Sequence, residues 1–382
     1  MERNSKLVLI VAGEASADHH GANLVAAIKR KDPGLSFAGI GGAKMESLGV
    51  QTLVSSSEMA VVGFTEVFSR FRTIIRAYLK LKSILKNSRP DLLILIDYPE
   101  FNLFLARRAK RYNVPVLYYI CPQVWAWRKG RIKKLAKRVD RLAVILPFEA
   151  DFYRARGLEV EYVGHPLLDG MPLPPERSEV INELGFENNH PVLGLLPGSR
   201  IEEVTNLLPP MIKAAEILSH QYPHMGCIIP LAPTISKELV LSIVEGSSLK
   251  VKLSQGDILR PLALCDLAFV ASGTATLETA IMAVPMVIVY RISPISYWVA
   301  GKVVDVTDIG LVNYIAGERI VPELIQKDLT PRKLAQEGLS LLRGGESREN
   351  MIKNLERVRE RLGRGGASER TAEIAMQMLS RT

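Results

Sequence analysis

The sequence predicts an α/β protein built from two doubly wound domains, each with a parallel β-sheet. Short apolar runs, typical of strands buried on both faces, alternate with helical patterns throughout the chain. The alternation begins a second time after a Pro-rich stretch at residues 171–175. In the clearest unit, LAFVASGTATLE at residues 267–278, a buried strand, a tight turn and a helix precede a second strand at Met286–Tyr290. Such a turn lies at the carboxyl edge of a parallel sheet, where open α/β folds bind ligands.

The turn in this unit carries groups that suit a phosphate and a ribose. Gly273 lets a ligand approach the backbone, Ser272 and Thr274 supply hydroxyls, and the start of a helix favours an anion. Glu278 follows about one turn into the helix, where its carboxylate is a candidate acceptor for ribose hydroxyls. A capped helix with an acid near its positive end is the competing interpretation. This stretch alone supports both interpretations equally.

A second phosphate-binding candidate follows the apolar run Val192–Leu196. The loop after this strand contains Gly198, Ser199 and Arg200, which offer backbone N–H groups, a hydroxyl and a guanidinium. It lacks the GK[ST] ending of a Walker loop. We therefore expect this loop to contact a diphosphate.

In the first half, acidic residues follow two predicted strands. Glu14 follows the strand at Leu7–Ala12, and Asp97 ends the strand at Leu92–Ile96. An acid at this edge faces the ligand crevice, which makes Asp97 a better catalytic candidate than an average aspartate. The GIGG at residues 39–42 lacks the third glycine of a dinucleotide fingerprint and follows the second strand, so dinucleotide binding is disfavoured.

The bulk composition narrows the class of partner. The chain has 382 residues and a net charge of +9, which favours nucleic acid, an anionic lipid surface or a phosphorylated substrate. No RNP-type, KH or zinc-knuckle pattern accompanies the basic residues, so we do not expect nucleic acid. The three cysteines lie far apart and no HExxH occurs, so we expect neither a disulfide nor a metal site, and no cofactor.

Two stretches are candidates for contact with a membrane surface. An apolar loop, Met59–Phe64, precedes an amphipathic helix at Phe68–Lys86, and eight basic residues and one acid lie between Arg128 and Arg141. The commoner explanations are that the helix packs on the sheet and that the basic residues form a solvated face. The more specific alternative is that these stretches contact anionic lipid. The predicted buried stripe of the helix is Phe68, Phe71, Ile75, Tyr78, Leu81 and Leu85. Neither a signal-peptide core nor an unbroken membrane span is evident, so we expect a cytoplasmic protein.

Six edge-loop motifs together resemble the lipid A disaccharide synthase family. They are AGEAS at residues 12–16, IDYPEFN at 96–102, QVWAWR at 123–128, VGHPL at 163–167, LLPGSR at 195–200 and SGTATLE at 272–278. The resemblance covers nearly the whole chain, and QVWAWR together with SGTATLE is its most specific part. It implies a GT-B glycosyltransferase with two Rossmann-like domains facing a cleft. It also implies a peripheral protein on the cytoplasmic face of the inner membrane, in contact with anionic lipids.

The resemblance further implies substrates and residue roles. The family transfers 2,3-diacylglucosamine from UDP-2,3-diacylglucosamine to 2,3-diacylglucosamine 1-phosphate (lipid X), giving a β-1,6-linked disaccharide 1-phosphate and UDP. The family's functional positions in this chain are Glu14, Asp97, Arg200, Glu278 and Asn313. We expect Asp97 to be the general base, with Glu14 orienting it or holding the acceptor, while the other three residues bind the nucleotide.

The chain departs from the family pattern at three positions. Ala17 replaces the usual Gly, Glu100 replaces Asp, and Val312 replaces the Pro of Leu-Pro-Asn, which bears on the role of Asn313. We expect domains at residues 1–168 and 169–350, with C-terminal helices at 351–382 packing back on the first; the oligomeric state is left open.

Other functions on the same fold stay open at this point. The closest rivals are a UDP-GlcNAc 2-epimerase and a peptidoglycan-type N-acetylglucosaminyltransferase. A two-lobed solute-binding protein is the non-enzyme rival, and it would need an export signal.

Overall fold

Apolar runs form the strands of two all-parallel sheets in the computed structural model of the protein. The structure describes residues 5–59, 67–122, 132–169, 175–186, 190–256, 258–291 and 309–381. The chain divides into a first unit, residues 1–171 with 362–382, and a second unit, residues 172–361.

The first unit contains a doubly wound sheet. Its described strands are β1 (Leu7–Ala12), β2 (Ser36–Gly41), β3 (Gln51–Ser55), β4 (Leu92–Ile96), β5 (Val116–Tyr119), β6 (Arg141–Val144) and β7 (Val160–Tyr162). Their order is β3-β2-β1-β4-β5-β6-β7, so the winding direction reverses between β1 and β4. This reversal is the point at which open α/β sheets bind ligands.

Helices cover both faces of this sheet, which explains why its central strands β1, β4 and β5 are continuous apolar runs. The described helices are α1 (Ala15–Lys31), α2 (Ala43–Ser47), α3 (Ser56–Met59), α4 (Val67–Asn87), α5 (Pro99–Arg111), α6 (Ile132–Arg138) and α7 (Pro147–Arg154). Helices α4, α5 and α6 pack on one face of the sheet and form one core layer with it. Helix α1 packs on the other face and forms the second core layer.

Helix α4 buries part of the stripe that the sequence predicts. Leu81 and Leu85 are fully buried and Tyr78 packs against the core, whereas Ile75 is 40% exposed. The side chains of Phe68 and Phe71 lie outside those that the structure describes. The buried line also includes Ala77, which a stripe of large apolar side chains omits.

The second unit repeats the architecture. Its described strands are β8 (Val192–Leu196), β9 (Gly226–Leu231), β10 (Val251–Gln255), β11 (Leu267–Ala271), β12 (Met286–Tyr290) and β13 (Glu323–Ile325). The order is β10-β9-β8-β11-β12-β13, with the reversal between β8 and β11. Its helices are α8 (Arg177–Glu183), α9 (Ile201–Ser219), α10 (Lys237–Val244), α11 (Leu259–Leu264), α12 (Thr274–Ile281), α13 (Leu311–Ala316), α14 (Pro331–Leu342) and α15 (Glu346–Arg361).

The last helix, α16 (Ala367–Ser380), belongs to the first unit, where it packs beside α1. The Asp169 carboxylate accepts the first backbone N–H groups of this helix, from Gly366, Ala367 and Ser368, each at 2.7 Å. Helix α15 groups with the second unit instead, where it buries Met351, Leu355 and Val358. The chain thus returns to the first unit at residue 362, and not at the predicted residue 351.

At three places along the amino edges of the two sheets, an aspartate hydrogen-bonds to the neighbouring strand. The residue before β4, Asp91, donates its N–H to the Leu7 carbonyl, and its carboxylate accepts the Leu7 N–H at 2.8 Å. Asp140 makes the same pair of contacts with Val116, and Asp266 makes it with Val192. Each pair fixes the register of two adjacent strands, and those of Asp91 and Asp266 lie at the reversal points.

We predict that Asp91→Ala lowers the free energy of unfolding by about 1–3 kcal/mol, because it strips the Leu7 N–H of its acceptor. Urea unfolding measures the loss, and hydrogen exchange of the β1 segment locates it. Asp32→Ala is the matched control, since the Asp32 carboxylate accepts a backbone N–H from Gly34 in an exposed turn. The control should change stability by roughly 0.5 kcal/mol or less. Equal losses in the two variants would contradict the special role of Asp91.

Candidate active site

The two acids predicted to be catalytic lie at the carboxyl edge of the first sheet, at its reversal point. Ala12, the last residue of β1, pairs with Ile96, the last residue of β4. Glu14 and Asp97 therefore leave adjacent strands within two residues of the strand ends. Glu14 precedes α1, but its carboxylate does not cap that helix. The structure thus brings these two side chains together.

The backbone at Asp97 is held in a conformation that L-amino acids rarely adopt. Asp97 and Tyr98 are both left-handed, with φ of 46° and 47°. Each such residue costs about 1–3 kcal/mol, and strain of this kind concentrates at functional sites. Gly13 leaves room for the Tyr98 ring, since a Cβ there would lie 2.8 Å from the ring. The Tyr98 hydroxyl also donates to the Met59 carbonyl at 3.2 Å.

The pKa of the Asp97 carboxyl is higher than that of an ordinary aspartate. Burial raises its pKa, the nearby Glu14 carboxylate raises it further, and the Tyr98 N–H partly opposes both, so that the pKa is about 6. Burial disfavours the charged form, and a like charge adds to the effect. A carboxylate with this pKa is ionised at neutral pH and is a stronger base than an ordinary aspartate.

The raised pKa predicts that Asp97→Asn stabilises the protein at neutral pH. Below the unfolded-state pKa of about 4 the carboxyl is protonated in both states, and the stability linked to it is lost as pH rises through about 6. At pH 8 the variant should exceed the wild type in urea stability by about 1–3 kcal/mol, because the pKa of Asp97 is about 6 in the folded state and about 4 in the unfolded state. The gain should shrink towards zero near pH 4. A gain that does not depend on pH would contradict the raised pKa.

In the second unit, the predicted diphosphate loop binds a carboxylate of its own chain. Glu203 accepts the N–H groups of Ser199 and Arg200 at 3.0 and 3.2 Å and pairs with the Arg200 guanidinium at 2.8 Å. Gly198 has φ of 108°, and a side chain there would clash with Glu203. The loop is therefore shaped to hold an anion. The Arg200 side chain is 67% exposed, and Ser199 is exposed as well, so both are accessible to a diphosphate.

The second predicted nucleotide-binding turn follows β11. The Ser272 hydroxyl donates to the Ile309 carbonyl at 3.1 Å. Gly273 precedes α12, with open space where a side chain would lie, and Thr274 begins the helix. Thr274 and Glu278 are four residues apart and share one face of α12. Contact of these residues with a nucleotide stays a prediction.

The Asn313 side chain is buried and hydrogen-bonds to other groups of the protein. It is 1% exposed. Its Nδ2 donates to the Val321 carbonyl and to Glu323 Oε1 at 2.9 and 2.8 Å, while its Oδ1 accepts the N–H groups of Ile320 and Val321 at 2.9 Å each. These four bonds use the whole hydrogen-bonding capacity of the amide. The predicted direct contact with the nucleotide is untested, and these bonds favour a positioning role.

Glu323 is the residue that the sequence did not single out. Its carboxylate accepts the N–H groups of Ile309 and Gly310, both at 2.9 Å, in addition to the Asn313 amide. Ile309 in turn accepts the Ser272 hydroxyl, so Asn313 and Glu323 support the turn after β11. The sequence signal is that Glu323 lies between Pro322 and the apolar pair Leu324 and Ile325.

Several sequence predictions fall outside the described residues. QVWAWR at 123–128, residues 60–64 of the apolar loop, and residues 128–131 of the basic stretch belong to this group. Among described residues, no group of three or more His, Cys, Asp and Glu side chains could hold a metal ion. A cavity of about 340 Å³ lies at the opposite, amino edge of the first sheet, lined by residues 89–91 and 111–115, away from Glu14 and Asp97.

Solved structures of a UDP-GlcNAc 2-epimerase and of a glycosyltransferase are similar to this chain. The UDP-GlcNAc 2-epimerase of Neisseria meningitidis bound to UDP-GlcNAc superposes with a TM-score of 0.61 at 11% identity, covering 98% of this chain and 100% of that one. The calicheamicin glycosyltransferase CalG4 gives 0.61 at 15% identity, covering 100% of both chains. At these identities the likeness shows the fold alone, and the fold is GT-B, as predicted.

The sequence comparisons are more specific. The family model for lipid-A-disaccharide synthetase matches residues 8–378. The lipid-A-disaccharide synthase of Geobacter metallireducens is 47% identical over 377 residues, which cover 99% of this chain and 98% of that protein. This chain belongs to the lipid-A-disaccharide synthase family, which confirms the prediction from the edge-loop motifs.

Proposed function

We propose that the protein is an inverting glycosyltransferase that joins two diacylated glucosamines. The donor is UDP-2,3-diacylglucosamine and the acceptor is 2,3-diacylglucosamine 1-phosphate. The acceptor 6-hydroxyl attacks the anomeric carbon of the donor, the bond to UDP breaks, and the hydroxyl proton passes to an enzyme base. The products are the β-1,6-linked disaccharide 1-phosphate and UDP.

The observation that carries this proposal is the Asp97 carboxyl, with its raised pKa, beside Glu14 at the reversal point of the first sheet. A base must be ionised before the reaction and must accept a proton during it, which a pKa near the working pH favours. We assign Asp97 as the base and Glu14 as the group that orients it or holds the acceptor.

On the donor side, Glu278 would accept ribose hydroxyls, and Arg200 would neutralise the diphosphate as UDP leaves. The Arg200 guanidinium pairs with Glu203 in the structure, and the diphosphate would replace Glu203 as its partner. Ser272, Gly273 and Thr274 would offer the start of α12 to a phosphate oxygen. Asn313, through Glu323, would hold this turn in place.

A product assay tests the proposal directly. Purified protein is incubated with the donor and acceptor in excess chelator, since we propose that no divalent metal is needed, and mass spectrometry detects the disaccharide. Conversion of UDP-GlcNAc to its 2-epimer under the same conditions would instead indicate the epimerase. Turnover only after Mg²⁺ or Mn²⁺ is restored would contradict the metal-free mechanism and leave the transferase activity in place.

We predict opposite kinetic defects for the two sets of residues. Asp97→Asn keeps the shape of the side chain and removes its basicity, so kcat should fall roughly 10²-fold or more while UDP affinity is unchanged. Glu278→Ala should weaken UDP binding while changing kcat less. In the wild type, kcat/KM should fall below pH of about 6 as Asp97 takes up a proton. An Asp97→Asn enzyme with most of its kcat would make Glu14 the next base to test.

We also propose that the first unit binds a membrane surface. Leu79 on α4 is 53% exposed and Phe104 on α5 is 59% exposed. The two helices are tied together by Arg108, which lies one turn after Phe104 and donates to the Tyr78 hydroxyl at 2.9 Å. Arg72 and Arg76, seven and three residues before Leu79 on α4, are also exposed. Among the described residues, no helix has the length and apolarity needed to cross a bilayer.

We predict that vesicle binding depends on both salt and these apolar side chains. Binding to phosphatidylglycerol vesicles should weaken as salt rises from 0.05 to 0.5 M, where the Debye length falls from above 10 Å to roughly 4 Å. The Leu79→Ser/Phe104→Ser variant should bind more weakly by about 10²-fold or more, since two buried side chains at roughly 1.5–3 kcal/mol each contribute about 3 kcal/mol or more. Ile217→Ser/Leu241→Ser is the control, because both residues are exposed apolar side chains of the second unit. Equal effects of the two pairs would contradict the proposed surface.

A further inference from the structure

Two buried side chains hold the carbonyl group of the proposed base. Asn102 Nδ2 donates to the Asp97 carbonyl at 2.5 Å and to the Ile96 carbonyl at 3.2 Å. The Tyr118 hydroxyl donates to the Asp97 carbonyl at 2.7 Å. Asn102 and Tyr118 are both 0% exposed. The Asp97 carbonyl thus accepts two hydrogen bonds away from solvent.

These bonds act on the dihedral angles that make the turn unusual. The peptide group between Asp97 and Tyr98 is oriented by ψ of Asp97 and φ of Tyr98, so a carbonyl held by two donors keeps that peptide in place. Tyr98 has φ of 47°, which costs more for its bulky side chain than for a glycine. Without the donors, the peptide would turn towards the negative φ that L-residues prefer, and the Asp97 side chain would move with it.

The two donors come from elements on different sides of the turn. Tyr118 lies on β5, where it pairs with Leu95 of β4. Asn102 lies in the first turn of α5, and its backbone N–H donates to the Tyr98 carbonyl at 3.1 Å. Burial raises the pKa of Tyr118 well above its ordinary value, so the hydroxyl keeps its proton and remains a donor. Neither donor depends on pH in the working range of the enzyme.

We infer that Asn102 and Tyr118 are positioning residues, which hold the Asp97–Tyr98 turn in its strained conformation and so fix where the Asp97 carboxylate lies. The inference rests on the proposed role of Asp97 as general base. A base must lie within hydrogen-bonding distance of the proton it removes, and a misplacement of about 1 Å can cost about 10²-fold in rate. Buried hydrogen bonds that serve stability alone would have no such effect on the rate.

The test uses Tyr118→Phe, which removes one hydroxyl and keeps the ring. We expect kcat to fall about tenfold or more, the KM for the UDP-linked donor to stay within about twofold, and the acid limb of the pH–rate profile to shift. Asn102→Ala, which removes the other donor, should give the same pattern. The matched control is Tyr153→Phe, because the Tyr153 side chain is also fully buried and its hydroxyl also donates to a backbone carbonyl, that of Pro122 at 3.0 Å. The control should lose similar stability and keep its acid limb.

The outcomes separate this inference from the proposed function. If Tyr118→Phe and Asn102→Ala lose stability like Tyr153→Phe but keep kcat and the acid limb, the positioning role is overturned while Asp97→Asn still reports on the base. If Asp97→Asn itself keeps its kcat, both the base and its positioning are overturned. A crystal structure of Tyr118→Phe adds a readout without activity. Left-handed φ at both Asp97 and Tyr98 in that variant would overturn the inference, and a turned peptide would support it.

Discussion

The register of the central strand pair is the constraint on which each sheet depends. Asp91 hydrogen-bonds to Leu7 through both its backbone N–H and its carboxylate, and Asp266 bonds to Val192 in the same way. The Arg177 guanidinium donates two hydrogen bonds, of 3.0 and 2.9 Å, to the Asp266 carboxylate. A slip of one residue would turn every side chain of a strand to the opposite face. It would also move Asp97 by about 3.3 Å relative to Glu14. Contacts at the amino edge therefore determine which loop groups meet at the carboxyl edge.

The carboxylates of this chain differ in function because their surroundings differ. Asp91, Glu203 and Glu323 each accept backbone N–H groups and act as parts of the framework. Asp97 lies at the same kind of strand edge, but burial and the neighbouring Glu14 dominate its environment and raise its pKa to about 6. The structure thus keeps a costly charge at Asp97, whereas Asp91, Glu203 and Glu323 are satisfied by hydrogen bonds. That cost, with the left-handed turn, is a stability loss that function at this edge explains.

Much of the fold and part of the site could be predicted from the sequence, for physical reasons. A continuous apolar run such as Leu92–Ile96 has few structures other than a strand buried on both faces, so the acid after it had to lie at a sheet edge. The capture of the Ser199 and Arg200 N–H groups by Glu203 and the internal bonds of Asn313 could not be predicted. These contacts depend on the path of the backbone, and a motif names the residue without naming its partner. On α4, the burial of Leu81 and Leu85 was predicted, whereas that of Ala77 was missed because its side chain is small.

The Asp97 turn and the Arg200 loop differ in how firmly the protein holds them before a substrate binds. The Asp97 turn is fixed by donors that solvent does not reach, so its geometry is set by the fold, as electrostatic preorganisation requires. Arg200 pairs with Glu203 through a guanidinium that is 67% exposed, and ion pairs at the surface contribute at most about 1 kcal/mol. A diphosphate with more negative charge than one carboxylate would compete for this guanidinium at little cost. Under the proposed function, the acceptor side is rigid and the nucleotide side exchanges an internal anion for a bound one. This arrangement keeps the base in place while UDP binds and leaves.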